Sequence, residues 1–98
     1  MKFKVETLPQ AEDEIKSLEK SQQELLRCEY SKIEFQGIEF VRVKPLQKDI
    51  FEIKSNELRS LFKYKAGKII VVGVVFVKKT QKTPKDKVKL AKQRFKEV

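Results

Sequence analysis

Ile69-Ile70-Val71-Val72-Gly73-Val74-Val75-Phe76-Val77, followed by Lys78-Lys79-Thr80-Gln81-Lys82-Thr83-Pro84, is the stretch whose reading decides the fold. All of the first nine residues except Gly73 are apolar, so the segment lacks the two-residue alternation of a half-buried strand. It reads as a strand covered on both faces, the anchor of a sheet. Nine residues are about half of what a membrane-spanning helix needs. The start of the chain, Met1-Lys2-Phe3-Lys4-Val5-Glu6, has charge but no apolar run after it and does not read as a signal peptide. A cytosolic protein with no membrane contact is expected.

Working upstream from that anchor, Leu58 to Lys65 alternates. Arg59, Leu61 and Lys63 fall on one face, with Leu58, Ser60, Phe62 and Tyr64 on the other. Ala66-Gly67-Lys68 is short enough to join this strand to the anchor as a hairpin. Ile50 to Lys54 reads as a further strand between Lys48-Asp49 and Ser55-Asn56, with Phe40, Val41, Val43 and Lys44-Pro45-Leu46 leading into it. Near the start, Phe3 and Val5 alternate with charged residues as a first strand. A helix from Pro9 to about Lys20 puts Ala11, Ile15 and Leu18 on one face. Ser21-Gln22-Gln23-Glu24 has the spacing of a capping box for a second helix, with Leu26, Tyr30 and Ile33 recurring up to Gly37.

Downstream, Thr83-Pro84-Lys85-Asp86 supplies an N-cap, a first-position proline and an early acid for a last helix. Val88, Ala91 and Phe95 form its apolar stripe. The order is strand, helical hairpin, three-stranded meander, helix. That predicts an α+β domain spanning residues 1–98, with a mixed sheet and helices on one side.

The formal charge of +9 is unevenly placed. Residues 1–57 hold 10 Lys/Arg against 12 Asp/Glu, and residues 58–98 hold 13 against 2, so the second half alone carries +11. A concentrated positive field attracts polyanions, nucleic-acid backbone first among them. Cys28 is the only cysteine and there is no histidine, which removes an internal disulfide, the usual zinc ligand sets and His-dependent catalytic triads. No cofactor is implied. Cys28 itself reads as a small buried residue of a helix.

Phe76-Val77-Lys78-Lys79-Thr80-Gln81-Lys82-Thr83-Pro84 resembles the phage-derived, HigB-like branch of the RelE/ParE toxins, in which a buried strand runs through a KKTQKTP-type loop into a basic helix. The family's ELR strand has its counterpart in Glu52-Ile53-Lys54, with Lys in place of Arg, and the next strand in Leu58-Arg59-Ser60-Leu61-Phe62. The likeness covers about residues 45–98 by motif and the rest by order of elements. It implies an mRNA interferase, a ribosome-dependent endoribonuclease neutralised by a helix-turn-helix antitoxin.

The residue types suit that chemistry. Metal-free RNA cleavage uses the substrate's own 2′-hydroxyl as nucleophile. Lys and Arg can stabilise the charge that builds on phosphorus, and a lysine crowded by cations can serve acid–base work. Strand order can bring Lys54, Arg59, Lys78 and Lys79 to one groove as the catalytic set, with Arg59 on the scissile phosphate. A surface ion pair with Glu52 or Glu57 is the plain alternative for Arg59. Lys82, Lys85, Lys89 and Lys92 are expected to hold flanking RNA, and Thr83 to cap the helix. Where several toxins of this kind carry a C-terminal Tyr or His, this chain has Phe95, and Tyr64 is the only aromatic hydroxyl of the second half. Two other readings stand beside the nuclease: a noncatalytic binder on the same fold, such as a ParE-like gyrase inhibitor or an inactive phage-derived protein, and a basic ribosome-associated protein.

Overall fold

The computed structural model describes residues 1–98. In chain order the elements are β1 (Lys4–Thr7), α1 (Pro9–Lys16), α2 (Lys20–Phe35), β2 (Arg42–Gln47), β3 (Ile50–Ser55), β4 (Leu58–Lys65), β5 (Ile69–Val77) and α3 (Lys85–Arg94). Short 3-10 turns follow α2 at Ile38–Phe40 and α3 at Phe95–Glu97. The five strands run in the order β1-β5-β4-β3-β2, with β1 parallel to β5 and every other pair antiparallel. The α+β class, the mixed sheet, the helical hairpin and the C-terminal helix are all present.

One strand goes beyond the sequence reading. Arg42–Gln47 is a true edge strand, paired with β3, and it contains Pro45. An edge strand tolerates proline because one side of its backbone needs no ladder partner, and a bulge between Pro45 and Gln47 relieves the register. The tight turns use left-handed residues where the hairpins need them, with Asp49, Asn56 and Lys68 at positive φ.

The helices are not all on one side of the sheet. Ala11, Leu26 and Ile33 from the hairpin pack with Ile53, Leu58, Phe62, Ile70, Val72 and Val75 on one face. Ala91 and Phe95 pack with Ile50, Leu61, Val71, Val74 and Phe76 on the other. Alternation along every strand allows this, because each inner strand is apolar on both faces. At Gly73 the alternation slips: Leu61 pairs with Val74 and Phe62 with Val72, so β5 carries an extra residue. A Cβ at Gly73 would meet the Phe95 ring at 2.5 Å, and the bulge is therefore also where the last turn of the chain docks.

Beyond Val72, β5 has no β1 residue beside it. Side chains cover that stretch. Glu14 Oε1 accepts from the Val75 N–H at 3.0 Å, and Arg94 Nη1 donates to both Gly73 O (2.8 Å) and Glu14 Oε1 (3.0 Å). One ion pair thus closes an open strand edge and ties α1 to α3.

Three local expectations change. The capping box of α2 is Glu19 with Gln22 rather than Ser21 with Glu24, since α1 already stops at Lys16. Cys28 is exposed, because Leu26, Glu29 and Ile33 take the inner face of α2. Thr83 does not cap α3. Pro84 occupies that position and the Thr83 hydroxyl donates to a buried carboxylate, Glu52.

Candidate nucleic-acid interface

Register builds the site. Arg42 on β2 pairs with Lys54 on β3, Lys54 with Arg59 on β4, and Arg59 with Phe76 on β5. Cross-strand partners point to the same face. Phe76 lies in the α3-side core, and Ile53 and Leu58 in the opposite one, so the row Arg42, Lys54, Arg59 faces the α3 side. Like charges directly opposite one another destabilise a sheet. Three cations abreast are what an anion would relieve.

The next row along the same face is Lys44, Glu52, Leu61. From Lys44 the basic surface continues into a groove of about 530 Å³ between β2 and α3. Lys44, Lys82, Lys85, Lys89 and Lys92 line it, with no acid among the lining residues. Arg42 and Lys44 are two positions apart on one strand, about 7 Å, so row and groove adjoin. A second cavity of about 410 Å³ is lined by Arg42, Lys54 and Arg59 together with Lys32 and Glu29 of α2, Glu29 being its single acid.

Arg59 and Lys54 differ in how free they are. The Arg59 side chain is only 14% exposed. Its Nη1 donates to Asn56 O (2.6 Å) and Leu58 O (2.8 Å), and its Nε lies 3.9 Å from Glu52 Oε1. The ion pair with Glu52 is present and buried rather than at the surface. Lys54 is half-buried and makes no ion pair. Lys78 continues the β5 line through its N–H, which donates to Glu57 O at 2.8 Å. Lys78 is half-buried and Lys79 exposed, and neither lines the groove or the second cavity. The structure therefore brings Lys54 to Arg59, brings Lys82, Lys85, Lys89 and Lys92 together, and leaves Lys78 and Lys79 just past the end of β5.

Arg42 and Lys44 join the site only through β2, whose strand character Pro45 hides in the sequence; register alone supplies both. Tyr64 stands apart. It is five residues from Arg59 along β4, about 17 Å, and packs among Phe3, Phe51 and Phe62. Partial burial pushes its hydroxyl above the usual tyrosine range. Phe95 fills the second core beneath Gly73. No three His, Cys, Asp or Glu side chains cluster closely enough to hold a metal ion, and no helix is long and apolar enough to cross a membrane.

Residues 13–96 match the family model for phage derived protein Gp49-like (DUF891). The chain belongs to the Gp49-like family. In structure this Gp49-like protein is similar to a chain of the archaeal RelE–RelB complex from Pyrococcus horikoshii OT3, at TM-score 0.66 and 16% identity over 81% of this chain and 98% of that one. It is also similar to the isolated E. coli RelE toxin, at TM-score 0.60 and 18% identity over 95% and 98%. The Gp49-like chain thus shares its fold with these RelE proteins. No curated protein matches the sequence.

Proposed function

We propose that this protein is the toxin of a toxin–antitoxin pair and cleaves mRNA on the ribosome without a metal ion. The observation that carries the reading is the run of cations from Arg42, Lys54 and Arg59 into the five-lysine groove. The likeness to a RelE toxin and to a RelE–RelB complex supports it at the level of fold. In the reaction, the 2′-oxygen attacks the adjacent phosphorus and loses its proton. The 5′-oxygen leaves and gains one, and a 2′,3′-cyclic phosphate remains. Lys54, which like Arg42 makes no ion pair, is assigned to that proton traffic or to the phosphate oxygens, and the free edge of Arg59 to the phosphate. Lys82, Lys85, Lys89 and Lys92 hold the flanking backbone, with Lys78 and Lys79 adding charge beside the row. The partner is a helix-turn-helix antitoxin that covers this basic face, and the setting is the cytoplasm.

A second reading, noncatalytic binding of nucleic acid or of a protein such as gyrase, is favoured by one fact: Arg59 is already engaged by two carbonyls and Glu52. Expression of the chain alone in bacteria, with mapping of mRNA 5′ ends, separates the two. New codon-linked ends with wild type and with Cys28→Ser, but not with Lys54→Ala, support the nuclease. Growth arrest without new ends supports the second reading.

A further inference from the structure

Glu52 is the only acid on the α3-side face among the two rows, and its side chain is fully buried. Burying a carboxylate costs several kcal/mol unless its partners compensate. Its two oxygens serve different parts of the site. Oε2 accepts from Thr83 Oγ1 at 2.5 Å, on the loop that carries Lys82 and Lys85 into the groove. Oε1 faces Arg59 Nε on the cation row. The Thr83 contact is the only side-chain hydrogen bond between residues 78–84 and the sheet.

The second half of this bridge is open. Glu52 Oε1 and Arg59 Nε are both buried and neither has a hydrogen-bond partner, although they face each other at 3.9 Å. Closing that gap to hydrogen-bond length takes a shift of about 1 Å. Arg59 Nη1 is held meanwhile by the carbonyls of Asn56 and Leu58 at the β3–β4 turn.

We infer that Glu52 is a positioning residue that couples the lysine groove to the cation row. With RNA in the groove, Thr83 fixes the carboxylate, the carboxylate takes the Arg59 Nε–H, and the outer edge of the guanidinium turns from the β3–β4 turn to the next phosphate. This rests on reading the row as an RNA site, and it adds that the two halves of the site do not act independently.

A double-mutant cycle on RNA affinity tests the coupling. The probe is a short single-stranded 2′-O-methyl RNA, which has no 2′-hydroxyl to attack. The variants are Thr83→Val, Arg59→Lys and their combination, with Thr83→Ser as the conservative control. Thr83→Val should weaken binding about fivefold when Arg59 is present and less than about twofold when it is replaced, with Thr83→Ser like wild type. Equal weakening in both backgrounds overturns the inference. A merely structural Thr83 gives that result, because loss of loop order does not depend on the residue at 59. Non-additive binding in a protein that does not cleave ordinary RNA upholds the coupling and removes only the nuclease reading; absence of RNA binding by wild type overturns both.

Discussion

Replacing Lys85 and Lys89 with Gln removes two of the five lysines that line the groove without touching the core, since both side chains are exposed. The consequence follows from counterion release, in which each phosphate neutralised on a single strand contributes about −0.7 to the slope of log K against log salt. With the five groove lysines plus Arg42 and Lys54 engaged, the wild-type slope should be about −5, and the double variant's about −3.5. Raising salt from about 50 to about 200 mM then weakens wild-type binding roughly a thousandfold and the variant's roughly a hundredfold. Fluorescence anisotropy of a labelled single-stranded RNA, titrated with salt, reads both slopes directly. Lys16→Gln with Lys20→Gln, on the helical hairpin, is the matched control and should keep the wild-type slope. An unchanged slope for the groove pair, or an equal loss for the control pair, refutes the groove as the RNA track.

Three further outcomes test the frame that holds the site. Gly73→Ala puts a methyl group against the Phe95 ring and should cost about 1–3 kcal/mol in denaturant unfolding, with part of the loss recovered by adding Phe95→Leu. Arg94→Met leaves Glu14 and the Gly73 carbonyl without their shared donor, and should lower stability by about 1–3 kcal/mol. Burial pushes the Tyr30 hydroxyl, hydrogen-bonded to Ser60, well above the usual tyrosine range. The folded protein keeps that proton while the unfolded chain releases it, so stability should fall as pH rises past 10.0. Tyr30→Phe should flatten that fall, and an equally steep one in the variant contradicts the assignment.

The parts legible in sequence were those written by periodicity. The apolar run of β5, interrupted only by Gly73, the alternation of β4 and the stripes of the helices fix the strand and helix order. The parts not legible depend on contacts distant in sequence. Pro45 disguised β2, because only an edge position with a bulge makes a proline acceptable there, and with β2 went Arg42 and Lys44. The placement of α3 on the second face follows from Phe95 fitting over Gly73, a match between residues whose separation in sequence leaves no local signal. Thr83-Pro84-Lys85-Asp86 has the local pattern of a helix cap, yet Pro84 takes the cap position. The actual partner of Thr83, Glu52, lies thirty-one residues away. Strand order puts Lys54 and Arg59 on neighbouring strands, and register makes them direct partners.

The central claim is that the row and groove together cleave RNA through the substrate's own 2′-hydroxyl. Its most direct measurement incubates the purified protein with mRNA-programmed ribosomes in the presence of a chelator and determines the chemistry of the new 3′ ends. The account predicts 2′,3′-cyclic phosphate termini that persist with chelator and disappear with Lys54→Ala. Intact mRNA, or cleavage that Lys54→Ala leaves unchanged, would contradict it.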